Sequence, residues 1–155
     1  MKVVLINPDI PWNAGNIGRT CVAANIELVF VGKLGFKITD KEIRRSGLDY
    51  WKYLKYYIYA DFEDFLKNIK GNENLIFLST KGEKNYLDAP YTENSCLIFG
   101  SETKGFPTDF YEKYKNDMYK IPIYSDKVRS LNLSTSAGII IYKAIEVSGK
   151  SFHAH

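Results

Sequence analysis

The chain has 155 residues, of which 45% are apolar and 15% aromatic, enough to fill one hydrophobic core and too few for two. A charged fraction of 25% and a net charge of +3 permit a nucleic-acid partner without requiring one. Two cysteines, Cys21 and Cys96, exclude the dense disulfide framework of a small secreted domain and predict two free, buried thiols; no apolar run approaches the ~20 residues that cross a bilayer.

In chain order, Val3–Ile6 is a continuous run of β-branched and leucine residues closed by Asn7-Pro8, the pattern of a strand buried on both faces of a parallel sheet. With this strand at the start, in place of a basic leader and cleavage site, a cytoplasmic location and no membrane partner are expected. From Ala14 to Asn25, Ile17, Cys21, Val22 and Ala24 fall near three-to-four spacing and predict a helix, and Leu28–Val31 predicts a second buried strand. The alternation continues with Tyr56–Tyr59 as strand, Phe62–Ile69 as helix, and Leu75–Ser79 and Cys96–Phe99 as strands. Phe110–Tyr114 is then expected as a short helix and Tyr119–Ile123 as the last strand. Leu133–Val147 predicts a C-terminal helix with an apolar face of Ala137, Ile140, Ile141, Ala144 and Ile145. Strands alternating with helices predict an α/β fold with a mainly parallel sheet covered on both faces. Residues 1–150 are expected to form a single domain and 151–155 a flexible tail, since helix propensity runs out after Gly149.

Ligands of open α/β sheets sit beyond the C-terminal ends of the strands, which makes three loops the candidate sites. The first runs from Asn7 to Thr20 and holds Asn13, Asn16 and Arg19 at intervals of three. On a helix beginning near Asn13 they are expected to project from one side, ending in a guanidinium able to clamp a phosphate or stand beside a ribose hydroxyl. An asparagine cap followed by an exposed arginine explains the same residues, and this segment alone leaves both readings open. Gly15 and Gly18 fit neither G-x-G-x-x-G nor G-x-x-x-x-G-K-[ST], which argues against a dinucleotide or nucleoside-triphosphate site. In the second loop, Leu97 to Pro107, the glycines let backbone approach a ligand and Glu102 offers an acceptor; a tight turn before Pro107 is the alternative. In the third, Ile121 to Ser136, the polar Ser130, Asn132 and Ser134 flank Leu131 and Leu133. That mixture suits a purine and a sulfonium, unless Asn132 or Ser134 merely caps the helix. Histidine and cysteine are too few and too dispersed for a metal site.

Taken in order, N-x-x-N-x-x-R after the first strand, F-G-S-E-T-x-G-x-P after the fifth predicted strand and I-P-I…R-S-L-N-L-S at the last helix resemble the three signature motifs of the SPOUT RNA ribose methyltransferases. More narrowly, they resemble the branch acting on the wobble region of tRNA. The resemblance covers nearly the whole chain. It implies a C-terminal deep trefoil knot, a topology that the general rule against knotted chains would not give. It implies S-adenosyl-L-methionine as methyl donor, S-adenosyl-L-homocysteine as product, no metal, and 2'-O-methylation of a wobble cytidine or modified uridine in tRNA. The family's cofactor contacts map onto Leu78, Gly100, Ile121, Ile123, Ser130 and Leu133. Arg19 matches the motif-one arginine that assists attack by the 2'-hydroxyl, and Asn13 and Glu102 match residues lining the reaction centre. The family forms homodimers through its first and last helices, which would place Asn16, Ile17 and Tyr142 in the interface.

A sulfonium methyl is already electrophilic, so such a protein has to align a ribose oxygen behind it and ease loss of a proton of very high pKa. Arg19, with the substrate's own phosphate, is expected to carry that role. Lys81 and Arg129, near the pocket loops, are expected to hold the RNA backbone. Arg44 and Arg45 belong to a basic, aromatic-rich stretch from Lys33 to Lys55 that suits phosphate contact and base stacking, with a solvated helical face as the alternative. Three other functions fit parts of the pattern: an α/β enzyme acting on a small nucleotide, a noncatalytic RNA-binding knot protein, and a SPOUT enzyme acting elsewhere on tRNA or rRNA.

Overall fold

The computed structural model describes residues 1–38 and 50–151. Strands β1 (Lys2–Ile6), β2 (Glu27–Val31), β3 (Tyr56–Tyr59), β4 (Asn74–Leu78), β5 (Lys84–Asn85), β6 (Ser95–Phe99) and β7 (Met118–Lys120) form one sheet in the order β3-β2-β1-β6-β4-β7-β5. Every pairing in it is parallel. The α-helices among the described residues are α1 (Pro11–Ala24), α2 (Phe62–Asn68), α3 (Phe110–Lys113) and α4 (Leu133–Ser148).

The continuous apolar runs of the central strands follow from burial on both faces. Val3, Leu5, Leu28, Phe30, Ile76, Leu97 and Phe99 point to one side, where Ile17 and Cys21 of α1 and Ala137, Ile140, Ile141 and Ala144 of α4 close over them. Their neighbours Val4, Ile6, Val29, Val31, Phe77, Cys96 and Ile98 point to the other, against Phe62, Phe65, Phe106 and Phe110. Alternation of side chains along each strand thus builds two cores from one sheet, each fully buried Leu, Ile or Phe contributing roughly 1.5–3 kcal/mol. Cys21 and Cys96 are free and buried, one in each core, and burial pushes their thiols up to about 12 and about 11.

The fold differs from the sequence expectations in four places. Helix α1 begins at Pro11, ahead of the expected Ala14, because proline is preorganised for the first helical position. The last strand is Met118–Lys120 and not Tyr119–Ile123: Pro122 has no N–H for the ladder, and Ile121–Ile123 leave the sheet. The two-residue β5 has no apolar pattern to announce it. Ile17, expected in an interface between copies, is completely buried in the protomer's own core, so it has no surface to offer a partner. Arg44 and Arg45 lie outside the described residues, as does the tail after Ser151.

The two helices that share the first core are joined at both ends. At the C-terminal end of α1, Asn25 takes the left-handed conformation, and the Lys150 ammonium donates to the carbonyls of Ala24 (2.5 Å) and Asn25 (2.9 Å). The join at the other end belongs to the site described below. No helix among the described residues is long and apolar enough to cross a membrane.

Candidate functional site

A cavity of about 550 Å³ opens beyond the C-terminal ends of β4, β6 and β7, where Leu78, Phe99 and Ile121 reach its wall. Its shape depends on a small hairpin after β6, in which Ser101 and Gly105 exchange backbone hydrogen bonds of 2.9 Å in both directions. Gly105 sits at φ +70°, open to glycine at little cost. Gly100 is packed so closely against the returning strand that a Cβ there would lie 2.4 Å from the Gly105 carbonyl carbon.

The hairpin is fastened to the first loop by Glu102. Helix α1 has no side-chain cap of its own, because Ile10 stands at its N-cap. Glu102 reaches across to supply one: Oε2 accepts from the Asp9 N–H at 2.8 Å, and Oε1 accepts from the Ile10 N–H at 3.1 Å and from Asn13 Nδ2 at 3.2 Å. A carboxylate at a helix N-terminus gains from both the unpaired N–H groups and the helix dipole. A second tie, from the Thr103 hydroxyl to the Asp9 carboxylate, is 2.5 Å long.

Asn13 carries the connection onward. It is only 2% exposed, and its Oδ1 accepts from Asn132 Nδ2 at 3.1 Å. Asn132 caps α4, its Oδ1 accepting from the Ser134 N–H (2.8 Å), the Ser134 hydroxyl (2.6 Å) and the Thr135 N–H (3.3 Å). The row Glu102–Asn13–Asn132 therefore joins the N-terminal ends of α1 and α4 to the hairpin, and the two partners of Asn13 dictate which way its amide faces. Asn13 is not the cap that its position in the sequence allowed, whereas Asn132 is both a cap and a cavity wall.

The cavity brings together Leu78, Gly100, Ile121, Ile123, Ser130 and Leu133 with Asn13 and Glu102. Lys81 and Arg129 also line it, the Lys81 ammonium lying 4.4 Å above the ring of Tyr111. Arg19 does not join them. It is exposed on α1, its guanidinium 5.7 Å from the ring centroid of Tyr50, whose hydroxyl donates to the Gly15 carbonyl. Burial raises the Tyr50 phenol, and the charge of Arg19 offsets part of that rise. The expectation that Asn13, Asn16 and Arg19 share one side fails on helical geometry: at about 100° per residue, each step of three falls about 60° short of a turn. Asn13 faces inward while Asn16 and Arg19 face solvent, as does Tyr142 on α4.

The sequence did not single out the Asp9–Thr103 tie, the Lys81–Tyr111 pair or the partnership of Asn13 with Asn132. Neighbouring Trp12 is 54% exposed, a large apolar side chain at the solvent face of α1. Among the described residues no group of His, Cys, Asp or Glu could hold a metal ion.

Residues 1–142 match the model of the SpoU rRNA Methylase family. A Synechocystis protein carrying the provisional name tRNA (cytidine(34)-2'-O)-methyltransferase is 41% identical over 145 residues, which is 93% of this chain and 94% of the relative. A Saccharophagus degradans protein named tRNA (cytidine(34)-2'-O)-methyltransferase is 38% identical, with 92% of each chain covered. A solved structure concerned with 2-OH methylation of C/U34 on tRNA superposes with a TM-score of 0.89 at 33% identity, covering 96% of this chain and 97% of its own.

Proposed function

The chain belongs to the SpoU rRNA Methylase family, and from that premise we propose that it is an S-adenosyl-L-methionine-dependent tRNA ribose 2'-O-methyltransferase acting on the wobble cytidine or uridine. The observation that supports this most is the convergence of three loops, far apart in sequence, on one cavity.

The walls fit the methyl donor. Leu78, Ile121, Ile123 and Leu133 supply apolar surface for a purine, Ser130 a hydroxyl for a ring edge, and Gly100 an approach without a side chain. When bound, S-adenosyl-L-methionine supplies an electrophilic methyl group and leaves as S-adenosyl-L-homocysteine. Asn13 and Glu102 hold the floor against the end of α1, and Arg19 provides a fixed positive charge that stabilises the 2'-oxygen as its proton departs. Lys81 and Arg129 hold the RNA backbone at the rim.

Because Arg19 lies outside its own cavity, we place it in the cavity of a second copy. Trp12 on α1 and Tyr142 on α4, 54% and 56% exposed, lie on the helices that flank Arg19's core and offer apolar surface for such a homodimer, with Asn16 beside them. Residues 1–150 would form a single domain with a short tail, its last segment threaded as the family's trefoil knot. The fastening of α4 to the first loop through Asn132 is consistent with that path. A tRNA substrate would set the enzyme in the cytoplasm.

The direct test is methyl transfer from labelled S-adenosyl-L-methionine to total tRNA, followed by mapping of the methylated ribose. Label at the wobble nucleotide is expected. Label elsewhere would move the protein to another branch of the family, and cofactor binding with no transfer to any RNA would make it a binding protein. Gly100→Ala is expected to weaken S-adenosyl-L-homocysteine binding about tenfold to a hundredfold in calorimetry, because the hairpin has to move to admit the new Cβ. Unchanged affinity would remove the hairpin from the cofactor site.

A further inference from the structure

A second cavity, of about 500 Å³, adjoins the first. Ser101, Lys104, Gly105 and Phe106 line both, so the hairpin is a partition with a space on either side. The far walls come from the ends of β1 and β2. Asn7 takes φ +47° and its Oδ1 accepts from the Lys33 N–H at 2.8 Å, which folds the chain leaving β2 back over the end of β1. Gly35 then lies so close to Asp9 that a Cβ would stand 2.7 Å from the Asp9 carbonyl oxygen. The result is a built recess lined by Lys33 and Lys104, both exposed and neither paired with a carboxylate among the described residues. The acid of the recess, Asp9, already accepts the Thr103 hydroxyl and keeps acceptor capacity on its carboxylate.

A ribose presented to the first cavity carries a phosphate on each side, so the RNA strand has to cross the rim and continue past the partition. We propose that the second cavity is a subsite for the nucleotide adjoining the methylated one, with Lys33 and Lys104 on its phosphate and Asp9 accepting from a hydroxyl or base amine. This rests on the methyltransferase reading of the first cavity and adds a contact surface that the cofactor does not touch. Two lysines beside a carboxylate that keeps acceptor capacity suit a phosphate together with a neighbouring hydrogen-bond donor, as a nucleotide presents them, better than an apolar ligand.

The test is fluorescence anisotropy of a labelled anticodon stem-loop RNA at several salt concentrations, with wild type, Lys33→Ala and Lys33→Glu. Lys33 stands outside the first cavity, so S-adenosyl-L-homocysteine affinity, measured alongside, reports whether each variant is folded. Lys33→Glu is expected to weaken RNA binding about tenfold, and Lys33→Ala to lower the slope of log K against log salt by roughly 0.7–0.9, one phosphate contact. Unchanged RNA affinity and slope in both variants, with wobble methylation intact in wild type, would overturn the subsite alone. RNA binding that depends on Lys33, without methyl transfer by wild type, would instead sink the methyltransferase reading. Should Lys33→Glu fail to bind S-adenosyl-L-homocysteine, Lys33→Ala and Thr108→Glu, which lines the same cavity, give the same discrimination.

Discussion

Glu102→Gln is expected to lower the stability of the protein by about 2–3 kcal/mol, or roughly 5–10 °C in Tm, besides reducing activity. The carboxylate accepts three N–H groups, from Asp9, Ile10 and Asn13. A glutamine keeps one oxygen and turns an NH₂ toward donors that need an acceptor, so at least one part-buried N–H loses its partner and the helix end loses its anion. Thermal unfolding of wild type and variant decides between two roles. A fall in Tm of this size marks Glu102 as the anchor of the first loop, acting on the reaction through Asn13. Unaltered Tm with lost turnover would mean that the carboxylate works on substrate and that its three hydrogen bonds are incidental. Glu102→Asp, too short to span the same gap, should resemble the glutamine variant in Tm under the first role.

Arg19→Ala is expected to reduce kcat for tRNA methylation by about 10²–10³-fold while leaving S-adenosyl-L-homocysteine affinity unchanged, since the guanidinium is assigned to the ribose oxygen and the cofactor walls are formed by other residues. Arg19→Lys should recover little, because a point charge on a flexible stem cannot reproduce a planar fork held against Tyr50. Mixing Arg19→Ala with Ile123→Trp, whose bulk would fill the cofactor cavity, tests where the arginine acts. If each arginine serves the other chain's cavity, half of the randomly assembled dimers regain one complete site, and roughly a quarter of wild-type activity returns. A mixture as dead as its parents, with mixed dimers demonstrated by tag pull-down, would put Arg19 in its own chain's reaction or remove it from the chemistry.

The architecture was legible wherever burial on both faces wrote unbroken apolar runs, as at Val3–Ile6, Leu28–Val31 and Cys96–Phe99. It was illegible at Lys84–Asn85, where a two-residue strand pairs through its backbone and leaves no pattern in its side chains. Ile121-Pro122-Ile123 read as a strand because its isoleucines suit one, although the proline between them forbids the ladder. Candidate residues were legible as types in loops, and the three loops do meet. Their partnerships were beyond reach: Glu102 lies 89 residues from Asn13, and Asn132 lies 119. Only the topology of the sheet brings such positions together. The shared face expected for Asn13, Asn16 and Arg19 fails for the opposite reason, since a local regularity of three is not the helical period of 3.6.

The double fastening of the first and last helices bears on how the protein is made. Asn13 finds its amide partner at Asn132, and Lys150 reaches Ala24, a separation of 126 residues. During synthesis the first helix leaves the ribosome long before either partner has been translated, with Ile17 and Cys21 still lacking the cover that α4 provides. The nascent chain therefore carries an unfinished core and an unfinished pocket until α4 and Lys150 have been translated. Contacts of such long range also make that closing step slow compared with the formation of the individual helices.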